Sequence, residues 1–113
     1  MICARSADLI FRLVYVTTPG PELNVERVRD RVETGGHDVP RDKILTRWDR
    51  SMAELPWFAE RADRLLVLDN SETQPIILAL RHFGKVIEFT GQMPDHPALS
   101  RIAHLQGTLA AAT

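Results

Sequence analysis

Apolar residues along this chain keep two rhythms, and the switch between them sets the elements. Residues 10 to 16, Ile-Phe-Arg-Leu-Val-Tyr-Val, form a short β-branched and aromatic run followed by Thr17-Thr18-Pro19-Gly20-Pro21. That order predicts a strand entering a turn at its carboxyl end. Leu65 to Leu68 form a second apolar run and end in Asp69-Asn70-Ser71. A run without polar alternation fits a strand buried on both faces, with a loop at its exit.

Between these runs the spacing becomes helical. Val25, Val28 and Val32 recur at steps of three and four, Asn24 offers an N-cap, and Gly35-Gly36 stop the pattern, which predicts a helix over about 22–34. After His37-Asp38-Val39-Pro40, a second stripe runs through Leu45, Trp48, Met52 and Leu55. Pro56 has no backbone donor, so it predicts a break or kink near Leu55 with a further turn through Ala62.

Two strands joined by a long helical segment make a parallel crossover unit. The right-handed form of that unit brings both strand exits to one sheet edge, where such folds bind ligands. Residues 75–81 and 85–90 are two more apolar runs joined by His82-Phe83-Gly84, which predicts a hairpin, and Pro97 to Ala111 predict a closing helix. The expected class is α/β: parallel strands with crossover helices, a C-terminal hairpin and helix, and one domain over residues 1–113.

Composition narrows the functions. A length of 113 residues, 44% hydrophobic and 26% charged, suits one globular domain with a modest core. A net charge of -1 leaves no cation surplus for a nucleic-acid backbone, which argues against nucleic acid as a general partner. The single Cys3 excludes an internal disulfide, and one Cys with four His shows no structural-zinc spacing, so a cytoplasmic location is expected. The apolar stretch Leu9 to Val16 is interrupted by Arg12 and is far shorter than the roughly 20 residues of a spanning helix. No small-residue cleavage site follows it, so neither a signal peptide nor a membrane partner is expected.

The candidate chemistry is cationic. Arg27 and Arg31 share one face of the first helix, and Lys43, Arg47 and Arg50 form a basic row on the second. Two such faces around a Gly-Gly-His hinge can clamp phosphoryl oxygens, a task that suits the planar guanidinium fork. The competing reading is a pair of solvated faces, because Glu54 follows Arg50 by four residues and Glu33 follows Arg29 by four. His37 can hold a phosphate or shuttle a proton, or can simply follow a helix stop. Asp69-Asn70-Ser71 can meet a nucleotide base or a metal, and the same residue types also make ordinary turns. Trp48, Trp57 and Phe58 read as core.

Taken in order, Leu13-Val14-Tyr15-Val16, Arg27-Val28, Arg31-Val32, Gly35-Gly36-His37-Asp38-Val39-Pro40, Ile44, Arg47-Trp48-Asp49-Arg50-Ser51 and Asp69-Asn70-Ser71 resemble the C-terminal half of the zeta-toxin-like P-loop kinases. The resemblance spans roughly residues 10–72 and extends to the remainder only by position. It implies a partial P-loop kinase-like three-layer fold, ATP with Mg²⁺, and a small-molecule acceptor such as the sugar nucleotide UDP-N-acetylglucosamine. By the same likeness, Arg50 matches an arginine that touches the transferred phosphate, with Arg47 beside it. His37 matches the lid turn, Arg27 and Arg31 the helix before it, and Asp69 and Asn70 the loop near the base.

The family's opening strand, GxxxxGK[ST] loop and helix have no counterpart in these residues, since Gly35-Gly36 are followed by His37, and Gly84-Lys85 have neither the earlier glycine nor the following hydroxyl residue. The expectation is therefore a truncated phosphotransferase that is inactive alone. The alternative is a protein-binding module whose exposed first strand docks the missing half, an antitoxin-like protein or another copy of itself.

Overall fold

The computed structural model describes residues 10–111. Cys3 and the rest of the stretch through Leu9 lie outside the described residues. The element order is β1 (Arg12–Thr17), α1 (Pro21–Glu33), α2 (Arg41–Arg61), β2 (Arg64–Asp69), β3 (Ile76–Arg81), β4 (Glu88–Phe89) and α3 (Pro97–Ile102), followed by a 3₁₀ turn at Ala103–Leu105. The chain is mixed α/β, with one four-stranded sheet in the order β1-β2-β3-β4.

β1 and β2 pair in parallel, from Arg12 beside Arg64 to Thr17 beside Asp69, and α1 and α2 form the crossover between them. β3 and β4 then continue antiparallel, which is the expected hairpin. A bulge between Val67 and Leu68 shifts the pairing from Ala79 to Ile77. It lets the consecutive Leu78 and Ala79 both reach the core, which strict alternation would forbid.

One sheet face is covered. Met52, Leu55, Ala59 and Ala62 pack with Leu65, Val67, Leu78 and Ala79 from the strands and with Ala98, Leu99 and Ile102 from α3. Phe11, Leu13 and Tyr15 close this layer at the β1 side. Val14, Val16, Leu66, Leu68, Ile77 and Leu80 alternate with these residues, lie on the other face and are not part of the core cluster. Val14 is 62% and Val16 51% exposed.

The helix boundaries correct several expectations. α1 begins at Pro21 after Gly20, so Asn24 lies inside its first turns and is not the cap. It ends as expected at the glycine pair: Gly35 N–H bonds the Val32 carbonyl, Gly36 N–H bonds that of Arg31, and Gly35 takes φ 97°. This paired closure is the Schellman stop, whose left-handed residue favours glycine. From Arg29 to Lys43 every residue is exposed apart from the half-buried Val39, so the tip of the helical hairpin is a solvated arm.

α2 runs unbroken through Pro56. The flanking Met52, Leu55 and Ala59 are buried on the sheet, and this packing outweighs the lost bond at Pro56. The closing helix stops at Ile102 because the chain is drawn into the sheet layer. Gly107 takes φ 77°, its N–H bonds the Ile87 carbonyl, and Ile87 N–H bonds the Thr108 carbonyl.

Candidate functional site

A groove of about 830 Å³ opens at the carboxyl ends of β1 and β2, between α1 and α2. Its floor is Val16, Thr17 and Thr18 from β1 and its exit; its walls include Arg27, Arg31, Arg47, Trp48 and Ser51, and Asn70 closes the β2 side. The parallel register sets this location by placing Thr17 beside Asp69, so both exits share one edge.

Local bonds fix the walls. The Trp48 ring N–H donates to the Thr18 carbonyl at 3.3 Å, and Ser51 Oγ donates to the Tyr15 hydroxyl at 2.8 Å. Together they seat the middle of α2 on β1. Thr18 Oγ donates to the Gly20 carbonyl at 2.8 Å, which holds the turn into α1. Arg27 donates to Asn70 Oδ1 at 3.2 Å and to the Asn70 carbonyl at 2.7 Å, tying α1 to the β2 exit.

The groove lining includes three arginines, Arg27, Arg31 and Arg47, and one carboxylate residue, Asp30. Arg27 spends two donors on Asn70, while Arg31 and Arg47 are solvent-exposed. The groove is thus suited to an anion with several oxygens, gripped by forked donors from two helices.

The remaining sequence-predicted residues are placed differently. Arg50 is exposed and outside the groove lining, and so is His37, which follows the Gly35-Gly36 stop. Asp69 is 0% exposed and turned away from the groove. Its Oδ1 accepts from the Ser71 N–H at 2.8 Å and from the Ser71 hydroxyl, and its Oδ2 meets His96 Nε2 at 2.8 Å. Burial pushes the Asp69 carboxyl up, but the Ser71 and His96 hydrogen bonds outweigh it and hold the group below its ordinary value.

His96 was not singled out by its spacing, yet it is the link between β2 and α3. Its Nδ1 accepts from the Ala98 N–H at 3.0 Å, so Nε2 carries the proton offered to Asp69. The signal available in sequence was a polar residue directly before Pro97, where a helix cap stands.

Of the three aromatics expected in the core, Trp48 is half-buried and lines the groove, and Phe58 is half-buried against Phe11. Trp57 is instead 46% exposed, with the Arg61 guanidinium 4.1 Å from its ring centroid.

Among the described residues no cluster of three or more His, Cys, Asp or Glu side chains could hold a metal ion. Among the described residues no helix is long and apolar enough to cross a membrane. Comparison with protein-family models, curated proteins and solved structures finds no match for this chain.

Proposed function

We propose that these 113 residues are the cationic, lid-side part of a phosphotransferase site, which binds a phosphorylated small molecule and does not transfer the phosphoryl group unaided. The observation that carries this reading is the convergence of Arg27, Arg31 and Arg47, from two separate helices, on one groove at the exits of a parallel strand pair. Open sheets of this kind bind ligands at that edge. The resemblance to the zeta-toxin-like kinases supplies the class of ligand, a nucleoside triphosphate or sugar nucleotide, and the finer assignment to a P-loop kinase-like fold rests on the same likeness.

The sequence holds no GxxxxGK[ST] segment, and the described residues offer no carboxylate cluster for a metal. Positioning the anion is the task left to these side chains: Arg31 and Arg47 meet its oxygens, while Arg27 holds Asn70 at the mouth. When bound, Mg²⁺ would supply charge neutralisation of the phosphates and would be held by the ligand itself.

Calorimetric titration with ATP, UDP-N-acetylglucosamine and inorganic phosphate tests the reading. Saturable binding of a phosphorylated ligand, weakened at least tenfold by Arg31→Ala with Arg47→Ala and little changed by Arg50→Ala, is expected. Absence of binding at millimolar ligand overturns the groove assignment. ATP turnover at an ordinary kinase rate overturns the claim that the chain is inactive alone.

A further inference from the structure

Among the described residues that line the groove one is acidic, Asp30, and its carboxylate is left without a partner. Arg27 lies three residues before it on α1, the spacing at which an acid and a base on one helix face ordinarily pair. Arg27 is drawn elsewhere: it donates to Asn70 Oδ1 at 3.2 Å and to the Asn70 carbonyl at 2.7 Å. Thr34 donates to the main-chain oxygen of Asp30 through its N–H and its hydroxyl, and neither bond involves the carboxylate. Among the described residues no ion pair or hydrogen bond engages the Asp30 side chain. It is exposed, as are Arg31 and Arg47.

An acid in this position works against a site that grips phosphate alone. A carboxylate near a phosphate repels it, and the repulsion is offset only where the acid meets a hydrogen-bond donor that the ligand itself brings. Asp30 and Arg31 are consecutive on α1, with Cα atoms about 3.8 Å apart. A molecule whose phosphate rests on Arg31 therefore brings its neighbouring groups close to Asp30.

We infer that Asp30 is a specificity-determining residue of the groove, which selects phosphate esters that carry a hydroxyl or ammonium donor next to the phosphate over esters that carry none. Arg31 and Arg47 take the phosphate oxygens, and Asp30 accepts from the ligand's donor. Arg27 stays on Asn70, and that commitment keeps the carboxylate free. This role rests on the groove being the anion site proposed for the chain, and it narrows the class of anion.

Calorimetric titration of the full chain at pH 8 with methyl phosphate, glycerol 3-phosphate and O-phosphoethanolamine tests the role. All three probes are dianionic at their phosphate there, since its second pKa is about 6. The two donor-bearing probes are expected to bind about tenfold tighter than methyl phosphate, the margin of one charge-assisted hydrogen bond. Asp30→Ala, with unchanged circular dichroism, should cost those two about tenfold and tighten methyl phosphate about two- to threefold, because an acceptor and a repulsion are lost together. Asp30→Glu should keep the order of the probes. Glu33→Gln, at an exposed acid of α1 outside the groove lining, should leave all three within about twofold. The two donor-bearing arms tell hydroxyl from ammonium, and either order supports the role. Equal binding of the three probes overturns the role of Asp30 and leaves the anion groove standing. So does an Asp30→Ala variant that shifts all three by one factor. Failure of all three to bind at millimolar concentration removes the groove and the role together.

Discussion

Arg27 on α1 reaches over the groove to Asn70 and donates to both its side-chain and its main-chain oxygen, so one guanidinium joins the helical arm to the exit of β2. The arm has few other anchors, with Val28 and Ile44 its buried apolar residues. Arg27→Ala should lower stability by about 1.5–3 kcal/mol, the range for hydrogen bonds to a charged group. Arg27→Lys should recover part of this, because an ammonium cannot reproduce the fork. Urea denaturation of the two variants checks the order.

Asp69 predicts an acid limit on stability. Its folded pKa is depressed, so its contribution is complete above the unfolded carboxyl value of about 4 and is lost as pH falls through the lower folded value. Asp69→Asn should destabilise the chain by about 1–3 kcal/mol at pH 7, because the buried site loses its charge-assisted partners. The difference from wild type should shrink as pH falls below about 4. Thermal melts of both proteins between pH 7 and pH 3 measure this.

Arg81 is 2% exposed and serves as an internal clasp. It donates through Nη1 to the Ala59 and Ala62 carbonyls, and through Nη2 to that of Thr108. Burial pulls its pKa down, opposed by the charge of Asp63. Arg81→Met should leave these carbonyls without their donor and cost about 3–5 kcal/mol, enough to unfold much of a small domain. Loss of the cooperative thermal transition is the expected readout.

Pro56 offers a change in the opposite direction. Helix α2 passes through it without interruption, so Pro56→Ala restores a main-chain donor to an element that is already formed. A gain of about 1–3 kcal/mol is expected, up to the full Pro-to-Ala difference in a helix interior. A higher denaturation midpoint at unchanged m-value would show it.

Much of the architecture was legible because it follows from local period. The apolar runs ending at Val16 and Leu68 marked the parallel pair, and the Gly35-Gly36 stop was readable from a glycine pair directly after the valine stripe. What escaped was set by tertiary contacts. Pro56 reads as a breaker until its neighbours are seen buried on the sheet, and the helix expected to Ala111 ends early because Ile87 claims the Gly107 and Thr108 backbone.

The site divides in the same way. Arg27, Arg31 and Arg47 meet in one groove because helical spacing and the crossover both direct them there. Spacing alone could not separate Arg47 from Arg50, three residues apart on α2, or show that Asp69 is committed to Ser71 and His96. A side chain's availability depends on partners distant in sequence, and no local pattern records them.

The solvated arm between Arg29 and Lys43 implies a molecule with two tiers of cooperativity. Amides at the tip of the hairpin can open while Met52, Leu55 and the strands beneath them stay closed, since almost nothing apolar links the two regions beyond Val28 and Ile44. Heating should therefore loosen the arm first, and any anion held by Arg31 and Arg47 would raise the lower transition without moving the upper one.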